Sequence, residues 1–398
     1  SYVVNPYTKE AYFDFDLFKK HVALAQRIMD DIIDLELEKI EKIIAKIDSD
    51  PESEEVKEAE KHLWEKIYKK SGQGRRTGVG ITAEGDMLAA MGLRYGTEEA
   101  TEFSEQVHKT IALEAYRSSV NMAKERGAFA IYDSEREKNN PFINRLKEAD
   151  PELYEEMKKY GRRNIACLTI APTGTTSLMT QTTSGIEPVF MPVYKRRRKV
   201  NPNDPQTHVD FVDETGDAFE EYIVFHHKFV EWMTVNGYDP TKRYTQEEID
   251  KLVEKSPYYK ATSNDVDWLM KVKMQGRIQK WVDHSISVTI NLPNDVDEAL
   301  VNRLYVEAWR SGCKGCTVYR DGSRSGVLLS TQKDKKDKKE ELPPCKPPTV
   351  VEVRPKVLEA EVVRFQNNKE KWVAFVGLLD GHPYEIFTGL QDDEEGIS

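Results

Sequence analysis

The chain has 398 residues, 39% hydrophobic, 32% charged and 10% aromatic, a globular composition with enough apolar mass for one large core or two ordinary ones. Its formal net charge of -11 excludes a surface that coats nucleic acid at large, while leaving room for a local basic pocket. No apolar run is long enough to span a bilayer and no secretory signal is seen; with only four cysteines (Cys167, Cys313, Cys316, Cys345), the expected setting is the reducing cytoplasm.

Apolar residues at helical spacing (Phe18, Val22, Leu24, Ile28, Ile32, Leu35, Ile40, Ile43) predict a long helix over residues 14–48. An acidic stretch from Asp48 to Glu55 interrupts it, Pro51 suits a helix start, and a second helical run continues to Tyr68. A glycine-punctuated segment from Ser71 to Gly80 comes next, then a long predicted helix over 98–126 that Gly127 stops. Further helices are predicted near 141–160, 217–236, 246–255 and 263–281. Short apolar runs between them read as strands at 164–170, 286–290 and 315–319, an alternation that implies an α/β core with a largely parallel sheet. From Ser330 to Val350 the composition turns to Lys, Asp, Glu and Pro, which predicts a flexible linker. Residues 351–390 are rich in Val, Phe and Tyr, with turn signals at Asn367-Asn368 and Asp380-Gly381. The domain reading is thus a main domain over 1–329, a linker over 330–350 and a small β-rich module over 351–398. The chain opens at Ser1 without a Met, on a strand-like Tyr2-Val3-Val4, and stops just after an acidic run. It is expected to be a piece of a longer polypeptide, with the module truncated.

The most informative segment is Asn164-Ile165-Ala166-Cys167-Leu168-Thr169-Ile170-Ala171-Pro172-Thr173-Gly174-Thr175-Thr176-Ser177. It reads as a strand entering a helix N-terminus, where free backbone N–H groups and the helix dipole favour an anion. Pro172 fixes the entry, Gly174 lets a phosphate approach the backbone, and Thr173, Thr175 and Thr176 add hydroxyl donors. A plain Ser/Thr helix cap is the alternative reading. The basic run Lys195-Arg196-Arg197-Arg198-Lys199 reads as a solvated face, or through Arg196 and Arg197 as a contact for substrate or cofactor phosphate.

Other motifs carry less. Cys313-x-x-Cys316 lacks the second pair a structural zinc site wants, and on a strand its thiols would face opposite ways, so two packed thiols are expected and no metal. Asp283-His284-Ser285 cannot act as a triad, because adjacent residues do not present side chains to one another. His226-His227 sits on a helical run of aromatics and reads as packing. Gly78-x-Gly80 lacks the third glycine of a dinucleotide fingerprint and is followed by no Gly-Lys-Ser/Thr.

The string Ala171-Pro172-Thr173-Gly174-Thr175-Thr176-Ser177, followed by Thr183-Ser184-Gly185-Ile186-Glu187-Pro188, resembles the substrate-phosphate loop of ribonucleotide reductase large subunits. Gly74-Arg75-Arg76-Thr77-Gly78-Val79-Gly80-Ile81-Thr82, Asp283 to Pro293 and Gly312 to Arg324 resemble further family stretches in the same order. The resemblance implies the C-terminal half of a ten-stranded α/β barrel, in which a cysteine thiyl radical abstracts hydrogen from the ribose of a ribonucleoside di- or triphosphate. It also implies a thioredoxin-like reductant, a homodimer when complete, and no membrane or nucleic-acid partner. The family's radical cysteine, in an Asn-x-Cys-x-Glu pattern, and its reducing pair have no match here, so both are expected in an N-terminal half upstream of this chain. Tyrosyl-radical members carry two adjacent tyrosines on the last barrel strand; Thr317 and Val318 stand at those positions, which favours adenosylcobalamin as the radical source. Residues 354–389 are similar to the extra C-terminal module of some cobalamin-dependent members. A non-catalytic nucleotide-binding or assembly fragment with the same fold is the competing reading.

Overall fold

The structure, a computed structural model, describes residues 2–200, 209–212, 218–323, 355–367 and 370–390. The chain divides into two compact units, 1–330 and 331–398. The linker read over 330–350, with Cys345, lies outside the described residues.

In the first unit a small antiparallel pair, β1 (Val3–Val4) and β2 (Tyr12–Phe13), leads into α1 (Phe15–Ile47). The Asp14 carboxylate accepts the Leu17 N–H and starts this helix, which buries Phe18, Val22, Ile33, Ile40 and Ile47 along one stripe. The second helix, α2 (Glu54–Gly74), begins under a Ser53 cap rather than at Pro51 and runs past the expected end at Tyr68. Arg75 stops it by taking a left-handed conformation, φ 47°. Next come α3 (Glu84–Ala90) and α4 (Glu98–Arg126), the latter capped by Thr97 and ended by Gly127 at φ 85°. A short α5 (Ser134–Glu137) follows. The single helical run read over 141–160 is two helices, α6 (Pro141–Ala149) and α7 (Pro151–Tyr160). Pro151 disfavours helical geometry at Asp150, whose side chain instead caps the second helix through the Leu153 N–H.

After α8 (Gly174–Thr180), three strands make an antiparallel sheet of order β3-β5-β4: β3 (Val193–Val200), β4 (Phe211–Val212) and β5 (Ala218–Phe225). The helix expected over 217–236 is therefore half strand; only α9 (His227–Val235) is helical. The override is tertiary: β5 lies against the basic strand β3, with Arg198 opposite Glu220 and paired to it at 2.6 Å. Then follow α10 (Gln246–Lys255), α11 (Trp268–Gln279), β6 (Thr289–Leu292), α12 (Glu298–Arg310) and β7 (Thr317–Arg320). The sequence reading missed α12, which buries only Leu304 and Ala308.

Short parallel segments run through the middle of this unit. Val79 bridges Leu168, Ile170 bridges Ile286, and β6 pairs with β7, Ile290 against Val318. Their order in space follows their order in sequence, each connection being a long crossover that contains helices, and that from Ile170 to Ile286 also the sheet β3-β5-β4. This is an α/β unit; among the described residues the segments close no barrel. Gly80 marks a close approach, since a Cβ there would sit 2.2 Å from the Thr169 carbonyl oxygen. The main core packs α1 and α4 on these strands, and a satellite core of Val272, Ile290, Leu292, Leu304 and Ala308 lies under β6, α11 and α12.

The second unit is a three-stranded antiparallel meander of β8 (Glu359–Asn367), β9 (Glu370–Leu379) and β10 (His382–Leu390). Asp380 and Gly381 turn the second hairpin with φ of 52° and 78°, where the sequence placed a turn.

Candidate functional site

The strand carrying Leu168 and Ile170 is held on both sides. Thr169 N–H donates to Val79 O at 3.0 Å, and Ser287 N–H donates to Ile170 O at 2.8 Å. Past Ile170 the chain leaves the sheet and turns sharply at Thr173, φ 52°, into α8. The first bond of that helix runs from Ser177 N–H to Thr173 O, 2.8 Å, so the N–H groups of Gly174, Thr175 and Thr176 precede the hydrogen-bonded turn and face outward. Pro172, Gly174, Thr175 and Thr176 are exposed. A Cβ built on Gly174 meets nothing within 4 Å, so there is open space in front of this N-terminus.

Two details differ from the sequence reading. The left-handed residue is Thr173 rather than Gly174, so the glycine is needed for access and not for the turn. The Thr173 hydroxyl is already engaged: it accepts the Gly185 N–H at 2.7 Å and lies 3.5 Å from Thr82 Oγ1. That leaves the exposed hydroxyls of Thr175 and Thr176 facing solvent.

A second loop, residues 183–188, braces the first. The Thr183 carbonyl accepts the Thr82 hydroxyl at 2.8 Å and the Ala83 N–H at 2.9 Å; Gly185 O accepts the Glu84 N–H at 3.2 Å. Ser184 Oγ shares a 2.7 Å hydrogen bond with Ser177 Oγ of α8. The Asp86 carboxylate, 4% exposed, accepts the Thr183 N–H at 2.7 Å, the Tyr258 hydroxyl at 2.9 Å and His226 Nε2 at 2.8 Å. Burial, with Asp86 alongside, pushes the Tyr258 pKa far up, so this phenol stays a donor. Glu187 accepts the Thr289 N–H and the buried Lys271 ammonium, each at 2.6 Å, which ties the loop to β6 and α11. None of Asp86, His226, Tyr258 or Lys271 was singled out for this site by sequence; they come from distant elements, and only their burial with mutual bonds reveals them. His226 stands at the N-cap position of α9, where its side chain bonds Asp86 instead of the helix, a correction to the packing role read for it.

The remaining candidates lie elsewhere. Arg196 is exposed on β3 opposite Tyr222, on a sheet separate from the loop, and the Arg197 side chain lies outside the described ones. Cys313 and Cys316 sit in the turn before β7, not on a strand, so both thiols pack against the same satellite core. Burial raises both, Cys313 to about 12. Cys167 is fully buried, its pKa pushed well above the usual thiol range by desolvation, and it is no available nucleophile. Asp283 is a structural anchor, accepting the Cys167 N–H at 2.7 Å, the Leu168 N–H at 2.9 Å and the Tyr116 hydroxyl at 2.8 Å. Asp30, Asp31 and Asp34 stand close enough to hold a cation, but Arg75, Arg126 and Arg163 already pair with them. Burial alone would raise the Asp30 pKa; hydrogen bonds from Arg75 and Asn164 hold it below the usual carboxylate value.

An α/β unit of parallel segments, with a braced loop at a strand end, defines a fold class rather than one member of it. Comparison with known families narrows the class. Residues 2–319 match the family described as ribonucleotide reductase, barrel domain, and residues 358–398 match the NrdJ homologue C-terminal domain. The chain belongs to the ribonucleotide reductase barrel-domain family. Among curated relatives, a vitamin B12-dependent ribonucleoside-diphosphate reductase of Mycobacterium tuberculosis is 28% identical over 325 residues, 80% of this chain and 38% of the relative. One of the same name from Thermoplasma acidophilum is 29% identical over 332 residues, 83% of this chain and 36% of the relative. A ribonucleoside-diphosphate reductase subunit alpha of Chlamydia pneumoniae is 24% identical over 341 residues, 80% of this chain and 29% of the relative. The chain thus spans less than two-fifths of the length of these relatives. Among the described residues, no helix is long and apolar enough to cross a membrane.

Proposed function

We propose that this chain is a portion of the catalytic subunit of a cobalamin-dependent ribonucleotide reductase, and that Pro172 to Thr176 hold the phosphates of its ribonucleotide substrate. The observation that carries the reading is the outward N–H row of Gly174, Thr175 and Thr176, with open space before it and a doubly braced loop behind it. Uncharged N–H and hydroxyl donors suit a di- or triphosphate tail that must lose water as it binds. The seven-residue α8 contributes little dipole, so the donors themselves carry the binding. In this reading the parallel segments are late strands of the ten-stranded barrel, and the meander after the linker is the accessory module of the cobalamin-dependent members. Arg196 and Arg197 on β3 are the second candidate contact for phosphate.

Radical and reducing cysteines come from the N-terminal half in this proposal; among the described cysteines, Cys167 is sealed and Cys313 and Cys316 are held in apolar packing. A thioredoxin-like reductant, a homodimer of the complete enzyme and a cytoplasmic setting belong to the same proposal. The names of the relatives support cobalamin, and β7 agrees: Thr317 is exposed and Val318 packs into the satellite core, so neither position offers a relay tyrosine. Bound adenosylcobalamin would supply the radical; the residues described here position substrate phosphate and keep the strand ends rigid. No described residue is assigned to the corrin.

The test is kcat/KM in enzyme reconstituted with the missing half. Gly174→Val fills the open space and is expected to raise KM strongly or abolish turnover. Thr175→Val removes a hydrogen bond to a charged group, costing about 1.5–3 kcal/mol, or roughly ten- to a hundredfold in kcat/KM. A kinetically silent Gly174→Val would place the phosphates somewhere else.

A further inference from the structure

Three cations gather on one loop, residues 280–284, at the end of the sheet where the strands begin. Arg145 Nε donates to Lys280 O at 2.9 Å, Lys314 Nζ donates to Asp283 O, and Arg76 Nη1 donates to His284 Nε2 at 2.6 Å. Arg76 stands before Thr77, His284 before Ile286 and Lys314 before β7, each at a strand start, while Arg145 reaches in from α6. The phosphate loop of the preceding section follows Ile170 at a strand end, so the parallel order puts the two places at opposite ends of the sheet.

In a chain of net charge -11, cations normally find carboxylates; among the described residues, none of Arg76, Arg145 and Lys314 has one within ion-pair distance. The nearest acid, Asp283, turns its carboxylate inward onto Cys167, Leu168 and Tyr116. Glu148 acts on Arg145 only as a more distant charge. Arg76 and Lys314 are exposed, while His284 and Arg145 are half-buried. Burial lowers the His284 pKa, Arg76 and Lys314 lower it further, and Asp283 opposes them, so the imidazole rests as a neutral acceptor for Arg76.

We propose that Arg76, Arg145, His284 and Lys314 form a second anion site, for a phosphate-type oxyanion either free or at the end of a nucleotide. Planar guanidinium donors, a lysine point charge and an imidazole that can gain a proton together match such an anion. As the anion enters, it offsets the two neighbouring cations, Arg76 turns to it, and His284 takes up a proton and becomes a further donor. The proposal stands independently of the phosphate-loop reading.

Imidazole NMR of the purified chain tests it, with the His284 signal assigned by its loss in His284→Gln. Inorganic pyrophosphate is expected to raise the His284 pKa saturably, and Arg76→Gln and Lys314→Gln are each expected to weaken that response about tenfold or more. Lys314→Arg should retain it. A larger response to ADP than to pyrophosphate would assign a nucleotide, and an equal one the phosphate alone; both support the site. Pyrophosphate binding that leaves His284 unmoved, or a shift that never saturates and is matched by sodium chloride at equal ionic strength, overturns it. The wild-type signal decides this even if a variant fails to fold.

Discussion

Asp86→Ala is expected to be among the most damaging single changes in the first unit, although it removes a small exposed-type side chain. The carboxylate is 4% exposed and accepts three hydrogen bonds, from Thr183 N–H, Tyr258 O–H and His226 Nε2. Truncation leaves the Thr183 N–H buried without an acceptor and the Tyr258 hydroxyl with only its long 3.4 Å contact to Tyr7 Oη, since Tyr258 is 2% exposed and Thr183 6% exposed. An unsatisfied buried donor costs about 1–3 kcal/mol, and the His226 bond, nearer solvent, adds roughly 0.5–1.5 kcal/mol. Water entering the vacated space recovers part of this, so the expected loss is about 3–5 kcal/mol. Asp86→Asn keeps one acceptor oxygen for Tyr258 and His226 but sets an amide against the Thr183 N–H, and about half that loss is expected. Urea denaturation of wild type and both variants gives the magnitudes, and amide exchange at Thr183 localises the effect. The reasoning is refuted if Asp86→Ala unfolds within about 0.5 kcal/mol of wild type, which is the range of an ordinary surface change.

Two further outcomes rest on the packing of particular glycines and thiols. Gly80→Ala drives a Cβ to 2.2 Å from the Thr169 carbonyl and should cost about 2 kcal/mol or more, whereas Gly174→Ala meets nothing and should leave thermal stability unchanged; equal melting temperatures for the two would contradict the placement of both glycines. With Cys313 held at about 12, its thiol should alkylate roughly a hundredfold or more slowly than an exposed cysteine at pH 8, Cys316, also raised, should react more slowly than an exposed one, and metal analysis should find no stoichiometric zinc; fast labelling or bound zinc lost on Cys313→Ser would show a reactive pair.

Much of the fold was legible because it rests on local rules. The extent of α1, the Thr97-to-Gly127 limits of α4, the Asp380-Gly381 hairpin and the strand entering a helix at Thr173 each follow from periodicity, a cap or a turn residue acting within a few positions, although Leu24, Ile28, Ile32 and Leu35 of the α1 pattern are exposed. The loop at 172–176 was readable for the same reason: its chemistry lies in consecutive residues. What sequence alone could not supply depends on partners far along the chain. Ala218–Phe225 has helical neighbours on one side and becomes a strand only because the basic strand β3 lies against it. Asp86, His226 and Tyr258 are ordinary residues until folding buries their polar atoms together, where each must satisfy the others. Likewise Arg76 and Lys314 meet only because parallel pairing brings their strand starts to one edge, and Arg145 joins them from α6 through its bond to Lys280 O. The sequence by itself determined most of the helices, the hairpin and the strand-to-helix turn at Thr173, because the energies that set them are short-ranged; the tertiary structure decided that Ala218–Phe225 is a strand and which buried polar groups and unpaired charges meet, because their cost or benefit exists only once water has been removed from between them.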